Sequence, residues 1–164
     1  MRVQRAATAT ATIAAVLLGA SDCHQTTSQP PPDVVDEMRA VGKVVASTTT
    51  EWFWESYTDI DQVVVVDVGP LNPDDAVATA IRTLRQRGWL PIEDVPNTPL
   101  LLESRSWAET RIWVEPLVSY EVPHSEGFND QLDASNARLF GRLHAQGGAG
   151  AFVVLTAKSS WLSG

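Results

Sequence analysis

The sequence predicts an α+β fold, one domain with a mainly antiparallel sheet and about three helices, spanning residues 34–164. Three observations lead there. Amphipathic runs with helix-start and helix-stop residues occur at three places. Runs rich in β-branched and aromatic residues fall between them, in the order helix, two strands, helix, three strands, helix, strand. Strands in succession favour antiparallel pairing, with the helices packed on one face. The third observation is a single cysteine, which cannot close an intramolecular disulfide, so burial must hold the core. A body of roughly 130 residues can do this, because it buries about two-thirds of its unfolded surface.

Asp33 follows three prolines and can cap a helix, with Asp36 three residues on. Val34, Met38, Val41 and Val45 then recur on one helical face that runs to about Ser47. The stretch 48–58, "TTTEWFWESYT", reads as a strand, with Trp52 and Trp54 on one side and Glu51 and Glu55 on the other. "QVVVVDV" (62–68) reads as a central strand buried on both faces, and "DID" (59–61) as the turn between the two.

At the next helix every local signal agrees. Asn72 caps it, Pro73 opens it, Asp74 and Asp75 complement its positive end, and Gly88 stops it. Val77, Ala80, Ile81 and Leu84 form its predicted stripe. Trp89 and Leu90 begin a short strand, and 100–104 and 110–120 read as two more. In the last of these Ile112, Val114, Val118 and Tyr120 share a face, and Pro116 marks an edge or bulge. Phe128, Leu132, Ser135, Leu139 and Leu143 repeat at helical spacing behind Asn129 or Asp130, and 151–160 is the closing strand.

The first 33 residues have a different composition. Arg2 and Arg5 precede the apolar run "AATATATIAAVLL" (6–18), and the small residues Gly19, Ala20 and Ser21 follow, so residues 1–22 read as a secretory signal peptide. Residues 24–33, "HQTTSQPPPD", are polar and proline-rich, and 23–33 reads as an extended tether. The run Leu17, Leu18, Gly19, Ala20, Ser21, Asp22, Cys23 resembles the end of a bacterial lipoprotein signal, where aliphatic and small residues precede the cysteine that receives the lipid. It departs from that pattern at Asp22, where a small residue is usual, and at Ala20, where leucine is usual. The resemblance covers only these first 23 residues and implies lipid attachment at Cys23. Ordinary cleavage after Ala20 or Ser21 is the alternative. Either route predicts an extracytoplasmic protein of the bacterial cell envelope, anchored by lipid or secreted.

Charge narrows the partners. Without Arg2, Arg5 and Asp22 the chain keeps 10 basic and 19 acidic residues, a net −9. Such a domain repels phosphate backbones, which speaks against nucleic acid, and has no electrostatic attraction to anionic lipid. An envelope protein or polysaccharide is the expected partner, and membrane lipid through Cys23. The six tryptophans offer either core packing or a stacking surface. Of these, Trp52 and Trp54 are the ligand-binding candidates because they share a strand face.

Glu51 and Glu55, four apart on one strand, would lie roughly 13 Å apart, beyond the about 5–9.5 Å of paired glycosidase carboxylates. With His124 they are the only nameable candidates for a small hydrolase acting on an envelope polymer. Asp59 and Asp61 lack the ligand spacing and glycine of a calcium loop. His24, His124 and His144 are scattered, and no nucleophile, metal or phosphate-loop motif is present. The sequence therefore predicts a non-catalytic binding module without a cofactor.

Overall fold

A computed structural model describes residues 26–69, 72–92, 100–123, 129–146 and 152–159. Its elements are β1 (Thr26–Ser28), α1 (Pro32–Arg39), β2 (Lys43–Trp54), β3 (Tyr57–Asp67), α2 (Pro73–Gln86), β4 (Trp89–Pro91), β5 (Leu100–Ser104), β6 (Thr110–Pro116), α3 (Asp130–Ala145) and β7 (Phe152–Ser159). Short 3-10 turns at Arg105–Trp107 and Leu117–Ser119 flank β6. The strands form one seven-stranded sheet, ordered β1-β3-β7-β6-β5-β4, with β2 also paired to β3. Since β2 runs along the whole of β3, β1 and β7 share β3's other edge: β1 takes Tyr57–Asp59 and β7 takes Gln62–Asp67.

The α+β class and the order of the later elements agree with the sequence. The sheet is mainly antiparallel, and it is mixed because β1 pairs parallel to β3. One expectation fails: helices cover both faces rather than one. On the first face α1 and α2 pack on Val64, Val66, Ile112, Val114, Val153 and Leu155. On the second, Phe140 and Leu143 of α3 pack with Leu117 and Tyr120 on Val63, Val65 and Val154. Consecutive strand residues point to opposite faces, so four buried valines in a row require two covers.

α2 behaves as its sequence predicts. Asn72 Oδ1 accepts from the Asp75 amide at 2.9 Å, Pro73 opens the first turn, and Gly88 ends it at φ 93°. Ala76 joins Ala80 and Leu84 in the fully buried row.

α1 stops at Arg39, not near Ser47. A Cβ at Gly42 would lie 2.6 Å from the Asp67 carbonyl oxygen, so the chain turns tightly here into β2, and Lys43 pairs with Asp67. Val41 is still buried, but Val45 sits at a bulge between Val44 and Ala46.

The hairpin turn is Glu55–Ser56, not "DID". Glu55 takes φ 51°, which costs an L-residue about 1–2 kcal/mol. That turn pairs Trp54 with Tyr57 and keeps Asp59–Asp61 inside β3, so β2 follows the valine run in one nearly unbroken ladder.

β6 ends at Pro116, which has no N–H to donate. Val118 is exposed, and Tyr120 lies on the second face instead of beside Ile112 and Val114. In α3 the fully buried positions are Asn136, Phe140 and Leu143; Leu132 and Leu139 are only half-buried, Ser135 is exposed, and Phe128 lies outside the described residues. Of the stretch assigned to the tether, residues 26–33 form β1, a buried Pro30 and the start of α1.

Two glycines should respond in opposite directions to the same substitution. Gly42→Ala meets backbone and should lower stability by about 1–3 kcal/mol. Gly141→Ala, on an exposed helical position with open space around it, should raise stability by about 0.5–1 kcal/mol. Urea unfolding of both variants checks this.

Candidate functional site

The second face of the sheet is only partly covered. α3 is held toward the β2 side of the sheet by Asn136, whose Nδ2 donates to the Thr49 carbonyl at 2.8 Å and whose Oδ1 accepts from the Thr48 hydroxyl at 2.6 Å. Its N-cap, Asn129, donates to Glu51 Oε2 at 3.3 Å. Beyond the patch of Val63, Val65 and Val154, the same face carries Thr50, Trp52 and Asp61 from the hairpin, Thr156 and Lys158 from β7, and Trp113 and Glu115 from β6. With Tyr120, Glu121 and Pro123 of the segment after β6, most of these residues line a cavity of about 330 Å³.

Asp61 is the electrostatic centre of this cavity. It is 0% exposed, yet carries a carboxylate. Lys158 Nζ lies 2.8 Å from its Oδ2. Trp52 Nε1 donates to the same oxygen at 2.8 Å, and the Thr50 hydroxyl approaches it at 3.4 Å. The Lys158 ammonium also lies 5.1 Å from the Trp52 ring centroid and 5.4 Å from that of Trp113, within cation–π range of both. One buried charge is thus matched by one cation that two rings hold in place.

Among the described residues, three buried polar atoms around this centre have no hydrogen-bond partner: Asp61 Oδ1, the Tyr120 hydroxyl and Thr156 Oγ1. Buried polar groups are seldom left unpaired, because each then keeps its full desolvation penalty. Burial pushes the Glu115 carboxyl up to about 7, so near neutrality it is partly protonated and can donate. Burial, with the charges of Glu115 and Asp61, pushes the Tyr120 phenol up as well; Thr156 lies close enough to oppose that rise, but not in hydrogen-bond geometry. Tyr120 therefore stays a neutral O–H donor.

The cavity offers an acceptor, hydroxyl and carboxyl donors, and indole edges. Three carboxyl groups against one ammonium make it unfavourable for anions. No group of three or more metal-ligating side chains occurs among the described residues. A larger and more open hollow of about 750 Å³ lies between β1 and the Trp107–Thr110 turn. Glu109 and the Tyr57 phenol are the ionisable groups on its wall, so the smaller cavity holds the denser chemistry.

The sequence candidates separate. Trp52 lines the cavity. Trp54, two residues on and on the same face, is 75% exposed at the hairpin end and does not line it. Glu51 bonds Asn129 and Glu55 sits in the turn, so they do not form a pair on one strand. Cys23, His24 and His124 lie outside the described residues, and His144 is exposed in the last turn of α3. From the sequence, Asp61 is weighed only as a calcium ligand and turn residue, Tyr120 only as a strand-face residue and Trp113 only among the six tryptophans; Lys158, Glu115 and Thr156 are not singled out. One signal for Asp61 was present: it precedes Val63 and Val65 at strand spacing, so a carboxylate falls on a buried row. Compared with known proteins, the chain matches no family model, no curated protein and no solved structure.

Two consequences can be measured. Lys158→Met leaves Asp61 buried without its cation and should cost about 3 kcal/mol; the double variant Asp61→Asn with Lys158→Met should cost less than Lys158→Met alone. Urea denaturation of the three proteins reads this difference. Glu115 binds its proton more tightly in the folded state, about 7, than at the ordinary value of 4.5. Its contribution to stability is complete below pH 4.5 and is lost as pH rises through 7. Glu115→Gln should flatten the decline between those values, seen as unfolding midpoints at pH 5 and pH 8 that lie closer together than in the parent.

Proposed function

We propose that this chain is an exported cell-envelope binding module, non-catalytic, whose ligand site is the cavity around Asp61. The observation that carries the proposal is the set of unpaired buried atoms on its wall: Asp61 Oδ1, Tyr120 hydroxyl and Thr156 Oγ1. A neutral, hydroxyl-rich ligand supplies both donors and acceptors to such a set, and Trp52 and Trp113 add apolar surface. The excess of carboxyl groups favours a neutral saccharide over a phosphate. This fits an envelope polysaccharide as the partner class.

Export rests on residues 1–22, and anchoring on Cys23. Mass spectrometry of the mature N-terminus, with detergent partitioning, tests both. An acylated Cys23 in the detergent phase supports the anchor; a free N-terminus at Ser21 or Asp22 in the soluble fraction refutes it.

A hydrolase is the second reading, favoured by one observation: the cavity pairs an ion-paired Asp61 with a Glu115 held near 7. Register opposes it. Asp61 and Glu115 lie two strands and about four residues apart, roughly 16 Å between Cα atoms. Release of reducing ends from purified peptidoglycan that Glu115→Gln abolishes would favour this reading.

The binding reading is tested by titrating soluble peptidoglycan glycan fragments and chitotetraose against tryptophan emission. Saturable change is expected, with Tyr120→Phe and Thr156→Val each weakening binding roughly fivefold. Emission that responds to neither probe sinks the saccharide assignment.

A further inference from the structure

The hairpin end exposes two aromatic side chains, Trp54 at 75% and Phe53 at 40%. They are the last two residues of β2, on opposite faces of the strand, beside the tight turn Glu55–Ser56 that leads into β3. The chain enters the domain at this same end. Thr26 pairs with Tyr57 on one side while Trp54 pairs with it on the other. The Thr26 amide also donates to the Ser56 carbonyl at 3.0 Å.

β1 runs parallel to β3, so its first residue, Thr26, lies beside the turn. Covalent geometry then bounds where Cys23 lies. Three residues reach at most about 11 Å, and two strand spacings separate Thr26 from Trp54, about 10 Å. The Cys23 Cα is therefore within roughly 20 Å of the Trp54 Cα.

We propose that the Trp54 hairpin end is a membrane-docking tip that sits in the headgroup layer of a neutral bilayer, beside the point where the chain meets the membrane. The proposal rests on the anchoring reading of Cys23. Indole rings are favoured at the lipid–water boundary, where an apolar body and a polar N–H are both satisfied. The occupant is a neutral surface because Glu55 stands in the turn and the chain without residues 1–22 carries net −9. With β1 laid on the sheet from Thr26 onward, the span between Cys23 and the fold is three residues, too short to hold the domain clear of the surface.

The test uses full-length protein recovered from expressing cells and mixed with phosphatidylcholine vesicles containing brominated chains. Trp54→Phe keeps an apolar ring and removes one emitter, at an exposed site that does not support the core. Flotation with the vesicles reads attachment, bromolipid quenching reads the tip, and mass spectrometry reads Cys23. Acylated protein whose quenching is mostly lost in Trp54→Phe supports the proposal. Acylated, floating protein that quenches equally in both forms overturns it and leaves the anchor standing. If Cys23 is unacylated the anchor reading fails on its own. The tip then stands only if the unmodified chain still floats and shows Trp54-dependent quenching, and it falls if it does not.

Discussion

Four consecutive valines with almost no exposure impose the architecture. Val63, Val64, Val65 and Val66 alternate across β3, so neither side of that strand is left to water. Each side chain fully buried contributes about 1.5 kcal/mol or more, and none of that is gained unless both faces are covered. α1 and α2 supply one cover, α3 and the Leu117–Ser119 turn the other. An arrangement with all helices on one face would leave Val63, Val65 and Val154 wet.

The cavity exists because the second cover is incomplete. The anchors of α3 are Asn136 on Thr48 and Thr49, and Phe140 and Leu143 on the valines. They fix the helix over one part of the face. The next inward position along β3 after Val65 and Val63 is Asp61, which no apolar helix could cover without stranding a charge. Lys158 answers it from the neighbouring strand, and the rings of Trp52 and Trp113 keep the ammonium there. That pair accounts for the buried carboxylate. It leaves Asp61 Oδ1, Tyr120 and Thr156 unanswered, and these give the cavity its polarity.

Local chemistry in the sequence revealed what depends on neighbours in the chain. α2 was legible because cap, proline, acidic first turn and closing glycine all act within 17 residues. β5 and β7 were legible from composition. The extent of α1 was not, since Val41 and Val45 continue a helical spacing and Gly42 is needed only because the Asp67 backbone passes close by. The hairpin turn was missed for a similar reason. "DID" has better turn chemistry than "ES", but a turn there would remove Asp61 from the ladder and from Lys158. The cavity was legible only through Trp52 and the place of Asp61 on the valine row. Its other members come from β3, β6, β7 and the segment after β6, and their meeting is a product of strand order, which no local pattern encodes.

Strand order also ties the hairpin end to the cavity. Trp52 and Trp54 lie on one strand and one face, two residues and so roughly 7 Å apart. The first holds the cavity's central carboxylate, and the second stands at the exposed tip. A rigid two-residue spacing cannot place one at a bilayer surface and the other far from it. With the tip in the headgroup layer as proposed, Trp52 and the cavity wall it forms would lie close to that layer, and the saccharides within reach would be those carried at the membrane surface rather than those deeper in a wall. The bulge at Val45 lies at the opposite end of β2 and leaves this geometry untouched. The placement of the domain would therefore select among ligands that the cavity chemistry alone treats alike.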